Sequence, residues 1–225
     1  MKQLAQDLYQ LRGFPPDAIN VYLAEGVLID AATRQGERRI MRQIRDRDVR
    51  AHALTHAHPD HQGASHAICR RLDIPLWCGE GDVHAMETPG AISNSQAPGW
   101  LNNFQKRFWT GPPHPVARAL KEGDVVAGFT VLEVPGHSRG HVAYWRERDR
   151  VLILGDVLNG MNLITGKRGL QEPPGVFTPD PVRNRVSARR LAALEPELVC
   201  FGHGPPLRDP RALREFVARF PPEGS

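Results

Sequence analysis

The stretch Thr55-His56-Ala57-His58-Pro59-Asp60-His61 constrains this chain more than any other. Four side chains able to ligate a divalent cation fall within six residues, directly after an apolar run, Ala51-His52-Ala53-Leu54, that reads as a strand entering a loop. Imidazoles two apart on extended chain project to the same side, and Pro59 then turns the backbone so that Asp60 and His61 can face a second point nearby. The spacing suits two metals better than one. A lone H-x-H would read equally well as a solvated turn, but a D-H pair in register with it is hard to explain by packing or chance.

Around this motif the pattern alternates strands and helices. Ile19–Leu23 and Val27–Ile29 flank Ala24-Glu25-Gly26 and predict a hairpin with a tight glycine turn. Asp30, which ends the second strand, reads equally as a brace for the metal loop or as the start of a turn. Between Arg34 and Arg50, arginines at 38, 39, 42, 45 and 47 interleave with Ile40, Met41 and Ile44, the pattern of a helix with one apolar stripe and a basic face. A strand is expected near Val49 to Leu54, a helix from Gln62 to about Leu72 with Ala64, Ala67, Ile68 and Leu72 inward, and a short strand over Pro75–Cys78. From Gly79 to Glu122 the periodicity loosens around Met86, Trp100, Leu101, Phe104, Phe108 and Trp109, with a helix expected near Gly99 to Phe108. That segment reads equally as a lid inserted at about 79–122 or as a packing excursion. Strands are then expected at 125–126, 129–134, 142–145, 151–154 and 198–201, helices at 183–194 and 211–220, and a loop over 160–181.

Further candidate ligands stand just beyond strand ends: His137 after Pro135-Gly136, Asp156 after Gly155, and His203 within Gly202-His203-Gly204. Strand, ligand loop and helix thus recur in both halves. Two such halves packed sheet to sheet, with helices outside, would bring all these loops to one rim. With no evident linker, residues 1–225 read as a single domain.

Composition narrows the function classes. No apolar run approaches the roughly 18 to 20 residues of a membrane span, so a membrane protein is not expected. The first residues hold an early acid and no apolar core of signal-peptide length, which makes the cytoplasm the expected compartment. Cys69, Cys78 and Cys200 are odd in number and form no C-x-x-C pair, so they read as small buried hydrophobes, not a disulfide framework. The net charge of +4 is carried mostly by arginine, but Glu37, Asp46 and Asp48 interrupt the basic helix and argue against nucleic-acid binding. No cysteine has an evident base partner, so a cysteine nucleophile is not indicated.

Taken together in order, T-H-A-H-P-D-H, P-G-H-S-R-G-H, L-G-D and F-G-H-G resemble the metallo-β-lactamase superfamily over roughly Ile19 to Pro206. The resemblance implies an α+β fold, a four-layer αβ/βα sandwich of two mixed β-sheets, and a dinuclear site for two divalent metal ions, usually zinc and sometimes iron or manganese. Carried over by position, His56, His58 and His137 would hold the first metal, Asp60, His61 and His203 the second, and Asp156 would bridge them. The implied reaction is attack of a metal-bridging hydroxide, oriented by the catalytic Asp60, on an ester, thioester, lactone or amide-like carbonyl of a small molecule. A bound metal lowers the pKa of water to about 7, which would supply a nucleophile without an activated serine or cysteine. His141 reads as a structural hydrogen-bonder, and Ser138 and Thr55 as supports for the ligand loops.

Departures from subfamily patterns narrow the reaction. Glyoxalase II carries a long helical C-terminal portion, whereas little more than one helix follows His203 here. Lactonases of this fold have a tyrosine three residues after the bridging aspartate, where this chain has Asn159, which can donate a hydrogen bond but not act as an acid. The cysteine-ligand β-lactamases do not fit, and nucleic-acid-processing members add a large domain. An iron-dependent oxidoreductase of the same fold, similar to the sulfur dioxygenases, is the alternative. If 79–122 is a lid, Trp100, Phe104, Phe108 and Trp109 would form an apolar vestibule, and the same surface could make a homodimer, which nothing in the chain requires.

Overall fold

Strand alternation sets the architecture. On β10 (Val142–Arg146), Val142 and Tyr144 enter one core while Ala143 and Trp145 enter another. On β11 (Val151–Gly155), Val151 and Ile153 part from Leu152 and Leu154 in the same way. Strands buried on both faces need a sheet or helix layer on each side. The computed structural model describes residues 1–91, 100–163 and 165–222.

The first sheet has seven strands in sequence order: β1 (Lys2–Ala5), β2 (Leu8–Gln10), β3 (Tyr22–Ala24), β4 (Val27–Ile29), β5 (Ala51–Ala53), β6 (Leu76–Gly79) and β7 (Arg118–Leu120). Pairing is antiparallel from β1 to β4 and parallel from β4 to β7. The second sheet, which also includes β8 (Val125–Val126), β9 (Phe129–Glu133) and β14 (Leu198–Phe201), runs β14-β11-β10-β9-β8 with only β14 and β11 parallel. Both sheets are therefore mixed. Tyr22, Ile29 and Ala53 meet Phe129, Tyr144 and Cys200 between the sheets. Outside the first sheet, Ile40 and Ile44 of α1 (Glu37–Ile44) and Ile68 of α3 (Ser65–Leu72) pack on Leu28 and Leu76. Outside the second, Leu191 of α6 (Pro181–Ala192) and Leu213 of α7 (Pro210–Val217) pack on Leu154 and Val199. The α+β sandwich of two mixed sheets with outer helices is the architecture expected from the sequence.

Several elements differ from expectation. Lys2–Gln10 forms β1 and β2, which short polar-rich segments did not signal. The basic helix is confined to Glu37–Ile44, and the helix expected from Gln62 is two pieces, α2 (Pro59–Gln62) and α3. The break falls at Gly63, where a Cβ would lie 2.4 Å from both the Arg34 nitrogen and the Trp109 oxygen. Residues 160–181 are not all loop, since β12 (Asn159–Met161) pairs with β13 (Arg168–Gln171). The 79–122 span contains α4 (Val83–Glu87), α5 (Trp100–Phe108) and the edge strand β7. The expected vestibule side chain of Trp100 lies outside the described residues, while Phe104 and Phe108 are 46% and 41% exposed. All three cysteines are free and buried, and burial pushes the Cys69 thiol up to about 12. Among the described residues no helix is long and apolar enough to cross a membrane.

Candidate metal centre

Four strand ends deliver the candidate ligands to one point. His56 and His58 follow β5, Asp60 and His61 lie in α2, His137 follows β9, Asp156 follows β11, and His203 follows β14. All seven side chains are buried. Three groups of ligand atoms, each mutually within 4.8 Å, are formed by His56, His58 and His137, by His56, His61 and Asp156, and by Asp60, His61 and His203. Asp156 sits between the first and last groups: its Oδ2 is 3.6 Å from His137 Nε2, 3.6 Å from His61 Nε2 and 3.0 Å from His203 Nε2. Its close seat depends on Gly202, where a Cβ would fall 2.0 Å from Asp156 Oδ1.

The donor set fits metal ions. The Nε2 atoms of His56, His58, His61 and His137 and Oδ1 of Asp156 are buried without a hydrogen-bond partner, an expensive arrangement unless a cation takes the lone pairs. The opposite ring nitrogens are held. His61 Nδ1 donates to Asp30 Oδ2 at 2.9 Å, and His137 Nδ1 to Thr178 Oγ1 at 3.0 Å. His203 Nδ1 donates to the Ala18 carbonyl. Thr55 Oγ1 donates to Asp30 Oδ2 at 2.8 Å and so accepts from His56 Nδ1 at 3.1 Å. Each bond fixes the tautomer that leaves Nε2 free for a metal.

Electrostatics divides the cluster. Burial, with the neighbouring imidazoles His61 and His58, holds His56 well below the usual histidine range. Burial followed by His58 does the same to His137. For His203 burial is outweighed by Asp156 and Asp60, which raise it to about 10. Burial likewise opposes charge on Asp156, but His203 and His61 hold its carboxyl well below the carboxylate range. The side on which Asp156 and Asp60 lie is therefore the anionic side, suited to a second cation.

Among the supporting residues, Asp30 is a brace and also a turn residue at φ +60°, accepting from Thr55 N and Thr55 Oγ1 as well as His61. Ser138 supports its loop by donating to Asp82 at 2.8 Å. His141 is no member of the ligand groups, and its Nε2 faces the Asp156 backbone nitrogen at 3.4 Å, a structural position. Sequence reasoning missed Asp82, which also accepts from Ala57 N and Gly140 N and so ties the 55–61 loop to the 136–141 loop. It missed Asn20 too, whose amide donates to the carbonyls of Phe201 and Gly204 on either side of His203. Neither residue has a local signature, because each acts on backbone groups far away in sequence.

The sequence model of the metallo-beta-lactamase superfamily matches residues 14–203. The chain belongs to this superfamily. Within the metallo-beta-lactamase superfamily it resembles a Bacillus subtilis protein named "Probable metallo-hydrolase YflN", 30% identical over 208 residues that span 80% of this chain and 76% of that one. It also resembles the hydroxyacylglutathione hydrolase of Bdellovibrio bacteriovorus, 33% identical over 119 residues that span 51% of this chain and 36% of that one. Among solved structures, TTHA1623 in a di-iron-bound form superposes with a TM-score of 0.66 at 33% identity, covering 92% of this chain and 96% of that one. The protein is a metal-dependent hydrolase of the metallo-beta-lactamase superfamily.

Proposed function

We propose that this protein binds two divalent metal ions and hydrolyses an ester or thioester of a small molecule. His56, His58 and His137 would hold one ion, Asp60, His61 and His203 the other, and Asp156 would bridge them. The observation that carries this reading is the clustering of four partnerless, buried Nε2 atoms, of His56, His58, His61 and His137, in overlapping ligand groups that also take in Asp156. When bound, the ion pair supplies a water acidified to about pKa 7 and an electrophile for the scissile carbonyl. The chain's own residues do the rest. Asp60, held below the carboxylate range because its bond to His203 overcomes burial, remains an ionised acceptor facing the cavity, where it can orient a water. Asp30 and Thr178 accept the Nδ1 protons of His61 and His137, which aims the Nε2 atoms of both rings at the centre.

Thioesters and esters are favoured over other bonds by the hydroxyacylglutathione hydrolase relative. Zinc is the metal proposed, and the di-iron form of TTHA1623 makes iron the specific competitor. Protein purified without chelators or a histidine tag is expected to contain two divalent ions per chain and to lose acyl-thioester hydrolysis on dialysis against chelator. One iron per chain with oxygen consumption and no hydrolysis would replace this reading by the oxidoreductase one.

The single-domain reading with an overlying segment belongs to the same proposal. The cavity at the ligands is only about 30 Å³, room for a water-sized group, and Gln105 of α5 forms part of its wall. Displacement of a wall would make room for a substrate, and α5, within 79–122, is proposed as the moving one. Tryptophan emission is expected to shift when a slowly hydrolysed acyl ester binds, and to shift less in Trp109→Phe. An unchanged emission in the wild-type protein would remove the lid.

A further inference from the structure

Two walls of the ligand cavity carry side-chain amides whose oxygens pair with nothing among the described residues. Gln105 on α5 is 7% exposed and Asn159 at the start of β12 is 3% exposed, and both line the cavity with His58, Asp60 and His203. Gln105 Oε1 and Asn159 Oδ1 are buried without a hydrogen-bond partner. Away from the cavity, Asn20 grips the backbone around His203, Gln10 donates to Asn20, and Asn184 donates to the Val157 carbonyl although its Oδ1 is also unpaired. Gln62 is also partnerless but does not line the cavity. Leaving a buried amide oxygen unpaired is costly. The remaining wall, Leu163, Pro174 and Phe177, is apolar.

We propose that Gln105 and Asn159 together read a neutral, amide-like group of the substrate lying next to the scissile bond. The substrate class is then an acyl ester or thioester with an N–H and a C=O close to the reacting carbonyl and an apolar portion against Leu163 and Phe177. A carboxylate brings acceptors only and would leave both amide oxygens unpaired, whereas an amide offers a donor and an acceptor to the pair. A plain hydrocarbon would bury both amides unsatisfied, the situation in which a polar site rejects a ligand most strongly. The proposal rests on the hydrolase reading for its substrate and on Gln105 and Asn159 for its specificity.

Three p-nitrophenyl esters test it: N-acetylglycyl (donor and acceptor), 4-oxopentanoyl (acceptor only) and hexanoyl (neither). The wild-type metal-loaded protein is expected to prefer them in that order by kcat/KM. Gln105→Leu is expected to lower the N-acetylglycyl to hexanoyl ratio by about tenfold, the worth of one hydrogen bond. A ratio unchanged by Gln105→Leu overturns the proposal. Ligand-observed NMR of N-acetylglycinamide with metal-stripped protein gives a second readout, in which circular dichroism confirms that Gln105→Leu is folded. Binding to the wild type that is lost in the folded variant is the expected result, and equal binding to both overturns it. If the wild type hydrolyses none of the three esters, the ester reading fails, while the NMR comparison still decides the amide pair.

Discussion

Asp156→Asn is expected to leave a folded protein that retains at most one divalent ion per chain and hydrolyses acyl esters at least about a thousandfold more slowly. The side chain keeps its shape, so the core around Leu154 and Val157 is undisturbed. What changes is charge at a position that faces both halves of the cluster. Asp156 Oδ2 is within 3.0 Å of His203 Nε2 and 3.6 Å of both His61 and His137 Nε2, while Oδ1 is buried with no partner. An amide there offers a weaker oxygen ligand and an N–H₂ that repels a cation. Loss of several kcal/mol of charge stabilisation corresponds to a factor of about a thousand in rate. Metal quantitation beside steady-state kinetics checks both parts, and two ions per chain with full turnover would remove Asp156 from the bridging role.

Asp30→Asn is expected to act more quietly and on two observables together. One carboxylate accepts from Thr55 N at 2.8 Å, Thr55 Oγ1 at 2.8 Å and His61 Nδ1 at 2.9 Å. An asparagine must point an N–H₂ at one of these donors, which leaves that donor buried and unpaired. A stability loss of about 2–4 kcal/mol is expected. Through the Thr55 hydroxyl, the same carboxylate also sets the His56 ring, so both metal positions feel the change. Removing such a partner typically lowers metal affinity by about 10–100-fold. Thermal unfolding and competition against a chromophoric chelator measure the two effects. An unchanged chelator competition, with or without a fall in melting temperature, would make Asp30 a turn residue only.

These two residues stood differently in the sequence. Asp156 follows Leu154-Gly155 at a strand end and falls into the ordered set of motifs, so its place near the histidines was legible. Asp30 was legible only as an even choice between brace and turn, because an aspartate after a strand is common in both. Asp82 was not legible at all. It lies at the start of a segment that reads as irregular, and its partners are 25 and 58 residues away. The split of the expected Gln62–Leu72 helix was hidden for a similar reason, since Gly63 is demanded by backbone of Arg34 and Trp109, not by its neighbours in the chain. The strands of Lys2–Gln10 and the β12–β13 hairpin are short, and their pairing is supplied by partners instead of by their own alternation.

By itself the sequence determined the ligand types, their spacing and the class of fold. Ligand chemistry is a property of single side chains, and H-x-H-x-D-H brings four of them together within six residues of chain. Alternating apolar residues likewise declare a doubly covered sheet one strand at a time. Only the tertiary structure decided which groups hold those ligands in place and what lines the space above them. Hydrogen-bond acceptors such as the carbonyl of Ala18 and the hydroxyl of Thr178 are chemically ordinary, and they reach His203 and His137 across 185 and 41 residues of chain. No local pattern marks an ordinary group as special until the fold has set it beside a metal-ligating ring.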